Sequence, residues 1–225
     1  MLNTLQSFWA QYGDLLILGT WQTIAMTVIS TFFAYLFGLP LGVLVTITSP
    51  GSLRPHRALN MVLGWVVNIG RSIPFIILLV ALIPFSRFLV GTSLGVVGAI
   101  VPLVIAATPF IARMVESSLQ EVSAGCVEAA ESFGASTFQI IWKVMLPEAL
   151  PSLVRGASIA FITIFGYSAM AGAIGAGGLG DIAIRYGYYR YQNDVMFATI
   201  IVLVVLVQLV QMVGDRIARV IDKRG

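Results

Sequence analysis

The chain has 225 residues, 58% of them hydrophobic and only 10% charged, with a mean hydropathy of +0.95. That usage excludes a soluble globular domain and reads as an integral membrane protein. The net charge of +3 is dispersed between apolar segments, so the pI near 9.2 speaks for basic loops on one membrane side and against a nucleic-acid partner. A single cysteine, Cys126, excludes an internal disulfide, and with His56 as the only histidine there is no cluster for a structural or catalytic metal.

The first apolar segment covers about 15–47, longer than the roughly 20 residues a bilayer requires. No basic region precedes it and the first lysine or arginine is Arg54, so it reads as a retained span with no soluble domain appended. Gly38-Leu39-Pro40-Leu41-Gly42 interrupts it, which predicts a long, tilted or kinked helix, and the Gly38/Gly42 pair predicts close packing by a neighbour. A short polar loop, 48–57, leads to a second span over about 58–85 that carries Asn68, Arg71 and Pro74. Arg71 either anchors the helix at the headgroups or acts inside the membrane, and the pattern leaves both open. After a turn at 86–93, a third span covers about 94–112, where Pro102 and Pro109 predict kinks.

Residues 113–155 form the one long polar interruption. Leu119, Val122, Cys126, Ala129, Ala130 and Phe133 recur there at helical spacing, with Glu121, Glu128 and Glu131 on the other positions, which predicts a short amphipathic helix stopped by Gly134. Ser136 then reads as the N-cap of a second helix bearing a stripe of Phe138, Ile141, Trp142 and Met145 and ended by Pro147. Two short helices at an angle make a knob. Its apolar stripe suits either the headgroup layer or a groove on a partner protein.

A fourth span, about 159–173, is short and rich in small residues, and it runs into a formal Gly-x-Gly-x-x-Gly at Gly175, Gly177 and Gly180. That pattern binds dinucleotides when it joins a strand to a soluble helix. Between two membrane spans it reads as a flexible or tightly packed turn. Residues 181–193, with four tyrosines and two arginines, carry the aromatic-belt chemistry of an interface, and a fifth span covers about 195–213. One side collects Arg54, Arg57, Arg113, Lys143, Arg155, Arg216, Arg219, Lys223 and Arg224, the other Arg87, Arg185 and Arg190, with Arg71 in or near a span. The positive-inside rule then puts the N-terminus outside and both the 113–155 loop and the C-terminus in the cytoplasm. The fold expected is all-α, five transmembrane helices in one domain over 1–225, with that loop between spans three and four.

No Walker sequence occurs and the only lysines are Lys143 and Lys223, so the chain cannot cradle ATP that way; nor is there a nucleophile elbow or an H-E-x-x-H. No catalytic residue is assigned. With no carboxylate inside the spans as drawn, and no internal repeat, ion-coupled transport is disfavoured. A five-span chain encloses a solute path most simply as a dimer about an axis normal to the membrane. Tyr167, Ser168 and Met170, beside small residues in the fourth span, are the candidates for that path or its gate, the flexible thioether of Met170 being able to close a narrow opening.

Glu128-Ala129-Ala130, three residues, Gly134, nine residues, Val144, one residue and Leu146-Pro147 together resemble the cytoplasmic coupling loop of ABC importer permeases, with Val144 where that family usually has isoleucine. Arg71-Ser72-Ile73-Pro74 resembles the Arg-x-x-Pro signature of amino-acid importing permeases, which implies a structural role for Arg71 and Pro74 in span two. GLPLGVL, NIGRSIPFIILL, PFIARMVE, LPEALP and GYSAMAGAIGAGGLGDIAIRYGYY extend the resemblance, from about Gly19 to Arg219, to the permease subunits of bacterial methionine importers. The resemblance implies a multi-pass homodimer in the bacterial inner membrane, two cytoplasmic ATPase subunits that hold ATP and magnesium, and an external substrate-binding lipoprotein delivering D- or L-methionine. It implies no cofactor in this chain. It also assigns roles: Phe138, Ile141 and Trp142 would seat in the ATPase groove, and Glu128 would position the first coupling helix. Two other readings stay open, an importer of the same architecture for another amino acid or small metabolite, and a channel or scaffold whose loop recruits a protein.

Overall fold

The computed structural model describes residues 2–221, with side chains from Gln6 onward, and among them every regular element is helical. The elements are α1 (Leu2–Thr48), α2 (Arg57–Ser72), α3 (Phe75–Ala81), α4 (Ile83–Val90), α5 (Gly95–Gln120), α6 (Ala124–Ser132), α7 (Thr137–Ile140), α8 (Leu146–Gly172), α9 (Gly178–Ile182) and α10 (Asn193–Ile221), with single π turns at Ile141–Met145 and Ala183–Tyr188. Four helices are long and apolar enough to cross a membrane, five if α2 and α3 make one broken span. Lys223 and Arg224, on which the charge count partly rests, lie outside the described residues.

By its internal contacts the chain divides into two compact units, Met1–Phe32 with Pro74–Ile105 and Phe161–Val210, and Phe33–Ile73 with Ala106–Ala160 and Gln211–Gly225. The break in span two falls at their boundary. Pro74 has no N–H to donate and holds Ile73 extended, at φ −83° and ψ 122°, so α2 must end and α3 must begin afresh. By contrast α5 runs unbroken through Pro102 and Pro109, and α1 through Pro40.

In the first unit, α1 starts well before the predicted span. Phe8 and Tyr12 sit on the same face, rings 5.3 Å apart, and pack with Tyr186 against a core of Leu16, Leu179, Ile182 and Val195. Burial of that aromatic face, rather than membrane crossing, extends the helix. The glycine-rich segment is a packed turn: Gly175, Gly177 and Gly178 all have φ between 79° and 91°, and Gly178 and Leu179 donate their N–H groups to Gln22 Oε1 and Thr23 Oγ1 at 2.8 and 2.9 Å. The N–H groups that a dinucleotide phosphate would need are spent on α1.

In the second unit, Val45, Val67 and Ala112 form a small core flanked by Leu41 and Leu63. The Gly38/Gly42 pair is a close helix contact: a Cβ on Gly38 would lie 2.8 Å from the Ile111 side chain, and one on Gly42 2.5 Å from the Ala112 carbonyl. Small residues let backbones approach where lipid supplies no hydrophobic drive for association. Gly42→Leu should therefore lower the Tm of the purified protein, the overpacking costing about 1–3 kcal/mol. Gly64→Ala, whose Cβ meets nothing within 4 Å, should leave it equal or slightly higher. Thermal denaturation of the two variants in detergent micelles makes the comparison.

Candidate functional site

The path to the knob begins on α5, which does not stop where hydropathy falls at Ala112 but continues to Gln120. Helical spacing brings three polar side chains together there. Arg113 Nη1 donates to Glu116 Oε2 at 2.6 Å and Gln120 Nε2 to Glu116 Oε1 at 3.4 Å. Glu116 is only 8% exposed. A span drawn to end at Ala112 leaves this carboxylate out; it belongs to the same helix and is held there as half of an ion pair.

The first helix of the knob, α6, starts after Ser123, and Leu119 is instead a buried residue of α5. Its end is fixed by two backbone bonds across a left-handed residue: Gly134, at φ 76°, donates to Glu131 O at 2.9 Å, and Ala135 to Ala130 O at 3.1 Å. This is a complete Schellman cap. Phe133, expected on the apolar face, is 91% exposed because it is the residue at which the helix turns out. Ser136 then opens α7 with a capping box, its Oγ accepting from Gln139 N–H at 3.3 Å while its own N–H donates to Gln139 Oε1 at 2.8 Å.

Pro147 does not end the second helix. The chain passes through the π turn, where Leu146 N–H reaches back to Ile141 O, and continues as α8. In an α-helix the proline ring would strike the carbonyl four residues before it; the wider turn removes that clash. Phe138 and Trp142 remain outside, 68% and 57% exposed, with ring centroids 6.3 Å apart in an edge-on pair. Ile140, absent from the predicted stripe, is buried together with Met145, while Ile141, Val144 and Leu146 are partly buried. Glu128 and Ala129 are exposed and Ala130 is partly buried. A cavity of about 370 Å³ undercuts α6, lined by the loop after α1, the end of α5, Met145, and Val127, Glu128 and Glu131. Arg54 in that loop donates from Nε to Thr137 Oγ1 at 2.9 Å, a contact no sequence pattern announces.

The fourth-span candidates separate. Tyr167 stacks flat on Phe75, 4.5 Å between centroids and 5° between planes, and so is joined to the helix that Pro74 starts. Ser168 is buried and donates to Phe165 O at 2.7 Å, its hydroxyl engaged within its own helix. Met170 is on another face, half exposed. Arg71 is exposed in the last turn of α2, where a cation complements the helix dipole. Among the described residues no group of three or more His, Cys, Asp or Glu is placed to hold a metal.

The sequence pattern of the family described as "Binding-protein-dependent transport system inner membrane component" matches residues 38–224. A Vibrio cholerae protein named as a probable D-methionine transport system permease, MetI, is 50% identical over 222 residues, covering 99% of both chains. The Escherichia coli K12 D-methionine transport system permease MetI is 54% identical over 158 residues, 70% of this chain and 73% of that one. A solved chain described as part of inward-facing conformations of the MetNI methionine ABC transporter superposes with a TM-score of 0.94 at 52% identity, over 95% of this chain and 99% of its own.

The left-handed cap gives a direct test of the knob's construction. Gly134→Val should strain the turn by about 1–2 kcal/mol and expose the amides of residues 134 and 135 to exchange, whereas Gly134→Asn, which tolerates this conformation, should retain most of their protection. Hydrogen–deuterium exchange on the two variants reads the difference.

Proposed function

We propose, for a chain that belongs to the family of binding-protein-dependent transport system inner membrane components, the role of translocating subunit in an ATP-driven methionine importer. The observation that carries this reading is the pair Phe138 and Trp142, exposed side by side on a knob whose two helices are both capped. Aromatic side chains held by fixed backbone lose little further freedom on docking and suit a groove on a protein partner. The chain carries no Walker sequence, so the partner on that groove supplies the hydrolysis. The names of its relatives support methionine as the solute and an ABC assembly as the setting.

In this assembly two copies of the chain enclose the path, two cytoplasmic ATPases holding ATP and magnesium grip the knobs, and an external lipoprotein delivers the amino acid. The excess of arginine and lysine around the knob argues for a cytoplasmic knob and an outside N-terminus, in the bacterial inner membrane. Closure of the ATPases displaces the knobs and switches the path between its outward and inward openings. Glu128 positions α6, and Ala129, Ala130, Gly134, Ile141, Val144, Leu146 and Pro147 shape the docking unit around the aromatic pair. Arg71 and Pro74 set the break in span two, Tyr167 follows it through Phe75, and Met170 offers the path a movable gate.

Vesicles that contain the permease, its ATPase and the binding protein should take up methionine only with ATP, and a Gly134→Trp permease should hydrolyse ATP without uptake. ATP-dependent uptake of a different solute alone would keep the class and discard methionine; uptake indifferent to ATP would discard the class. Trp142→Ala should weaken capture of the ATPase by the solubilised permease by about thirtyfold, the loss expected for a central aromatic anchor. Unchanged capture would remove the aromatic pair from the docking surface.

A further inference from the structure

We propose that Arg54 is a positioning residue that relays movement of the α6–α7 knob into α1, a role that rests on reading the chain as an ATP-driven permease. The residues after α1 are no slack connector. The last four carbonyls of a helix have no partner inside it, and here each is taken by a residue between Ser49 and Asn60. Val45 O accepts from Asn60 Nδ2 at 2.7 Å, Thr46 O from Ser49 Oγ at 2.8 Å, Ile47 O from the Arg54 N–H at 2.9 Å and from Ser52 Oγ, and Thr48 O from the His56 N–H at 3.0 Å. The backbone of Arg54 is therefore fastened to the end of α1. Its side chain goes the other way, to Thr137 Oγ1 at 2.9 Å, 83 residues along the chain. Thr137 is the first residue of α7, next to the capping serine.

The space beside this bond gives it consequence. The 370 Å³ cavity separates the loop at Gly51, Ser52 and Leu53 from α6 at Val127, Glu128 and Glu131. Across such a gap side-chain packing carries no push, whereas a charge-assisted hydrogen bond onto a capped helix start does. α6 has room to tilt while the start of α7 stays pinned to α1. Displacement of the knob then reaches the first span through the Arg54 guanidinium.

The experiment measures methionine uptake and ATP hydrolysis in the same proteoliposomes holding the complete complex of permease, ATPase and binding protein. Thr137→Val removes the acceptor at constant shape, and Arg54→Met removes the donor at similar length. Each should lower the methionine moved per ATP by about threefold or more, the scale of losing one solvent-exposed hydrogen bond, with hydrolysis and recovery of the complex unchanged. The double variant should be no worse than either single one, because both remove the same interaction. Thr137→Ser, which keeps the hydroxyl, should keep the normal ratio. A normal ratio in Thr137→Val, losses that multiply in the double variant, or a parallel fall of uptake, hydrolysis and recovery would each overturn the proposal. An unaltered complex that hydrolyses ATP without moving methionine would overturn the functional reading and the strut with it; normal coupling in both wild type and variants would overturn the strut alone.

Discussion

Hydrocarbon offers a polypeptide no hydrogen bonds, so every backbone N–H and C=O must be answered from within the protein. Helix interiors answer automatically; helix ends do not. This chain answers at its ends with side chains and glycines. Residues of the loop after α1, with Asn60 of α2, take the last four carbonyls of α1, Gly134 and Ala135 close α6, Ser136 and Gln139 open α7, and Gln22 and Thr23 receive the first amides of α9. Where those partners come from other elements, as at Asn60, Gln22 and Thr23, the same bonds that satisfy the backbone also fix where the helix ends lie relative to their surroundings. The knob, which stands outside the hydrocarbon, closes its own helix ends by the same kind of bonds, at Gly134 and Ser136.

Packing follows a second rule of the same solvent. Lipid tails are as apolar as leucine, so helices are drawn together by close fit rather than by escape from water. The exposed faces of α1 and α10 are large and apolar, with Trp21, Phe32, Phe37, Phe197, Ile201 and Val204 outermost. The contacts that hold helices together use glycine and small hydroxyl residues, as at Gly38, Gly42 and Thr23.

The sequence made the long helices, the turn at Gly134 and the cap at Ser136 legible, since each depends on a hydrophobic run or on a residue with one strong local preference. It was less informative where a tertiary partner decides. The third span reads as ending at Ala112 because Arg113 breaks the apolar run, yet Arg113 and Glu116 satisfy each other and the helix goes on. The first span reads as starting near residue 15, because the aromatic face of the turns before it has value only against Tyr186 and Leu179. Phe133 and Ile140 exchange the roles that helical periodicity assigns them, since one sits at a cap and the other precedes a change of helix type. The Arg54–Thr137 bond spans 83 residues and leaves no trace in local pattern.

The π turn before Pro147 reorients everything after it. A π turn inserts one residue into the helical phase, which rotates the following helix by about 100° relative to an uninterrupted one. Phe138 and Trp142 are exposed, but Met145 and Ala149, which continue their row at α-helical spacing, are buried. A single ribbon of residues thus passes from the outer surface of the knob to the interior of α8 without a loop to redirect it. One extra residue per turn, with a proline to keep it there, lets one continuous helical stretch face a protein partner at one end and its own core at the other.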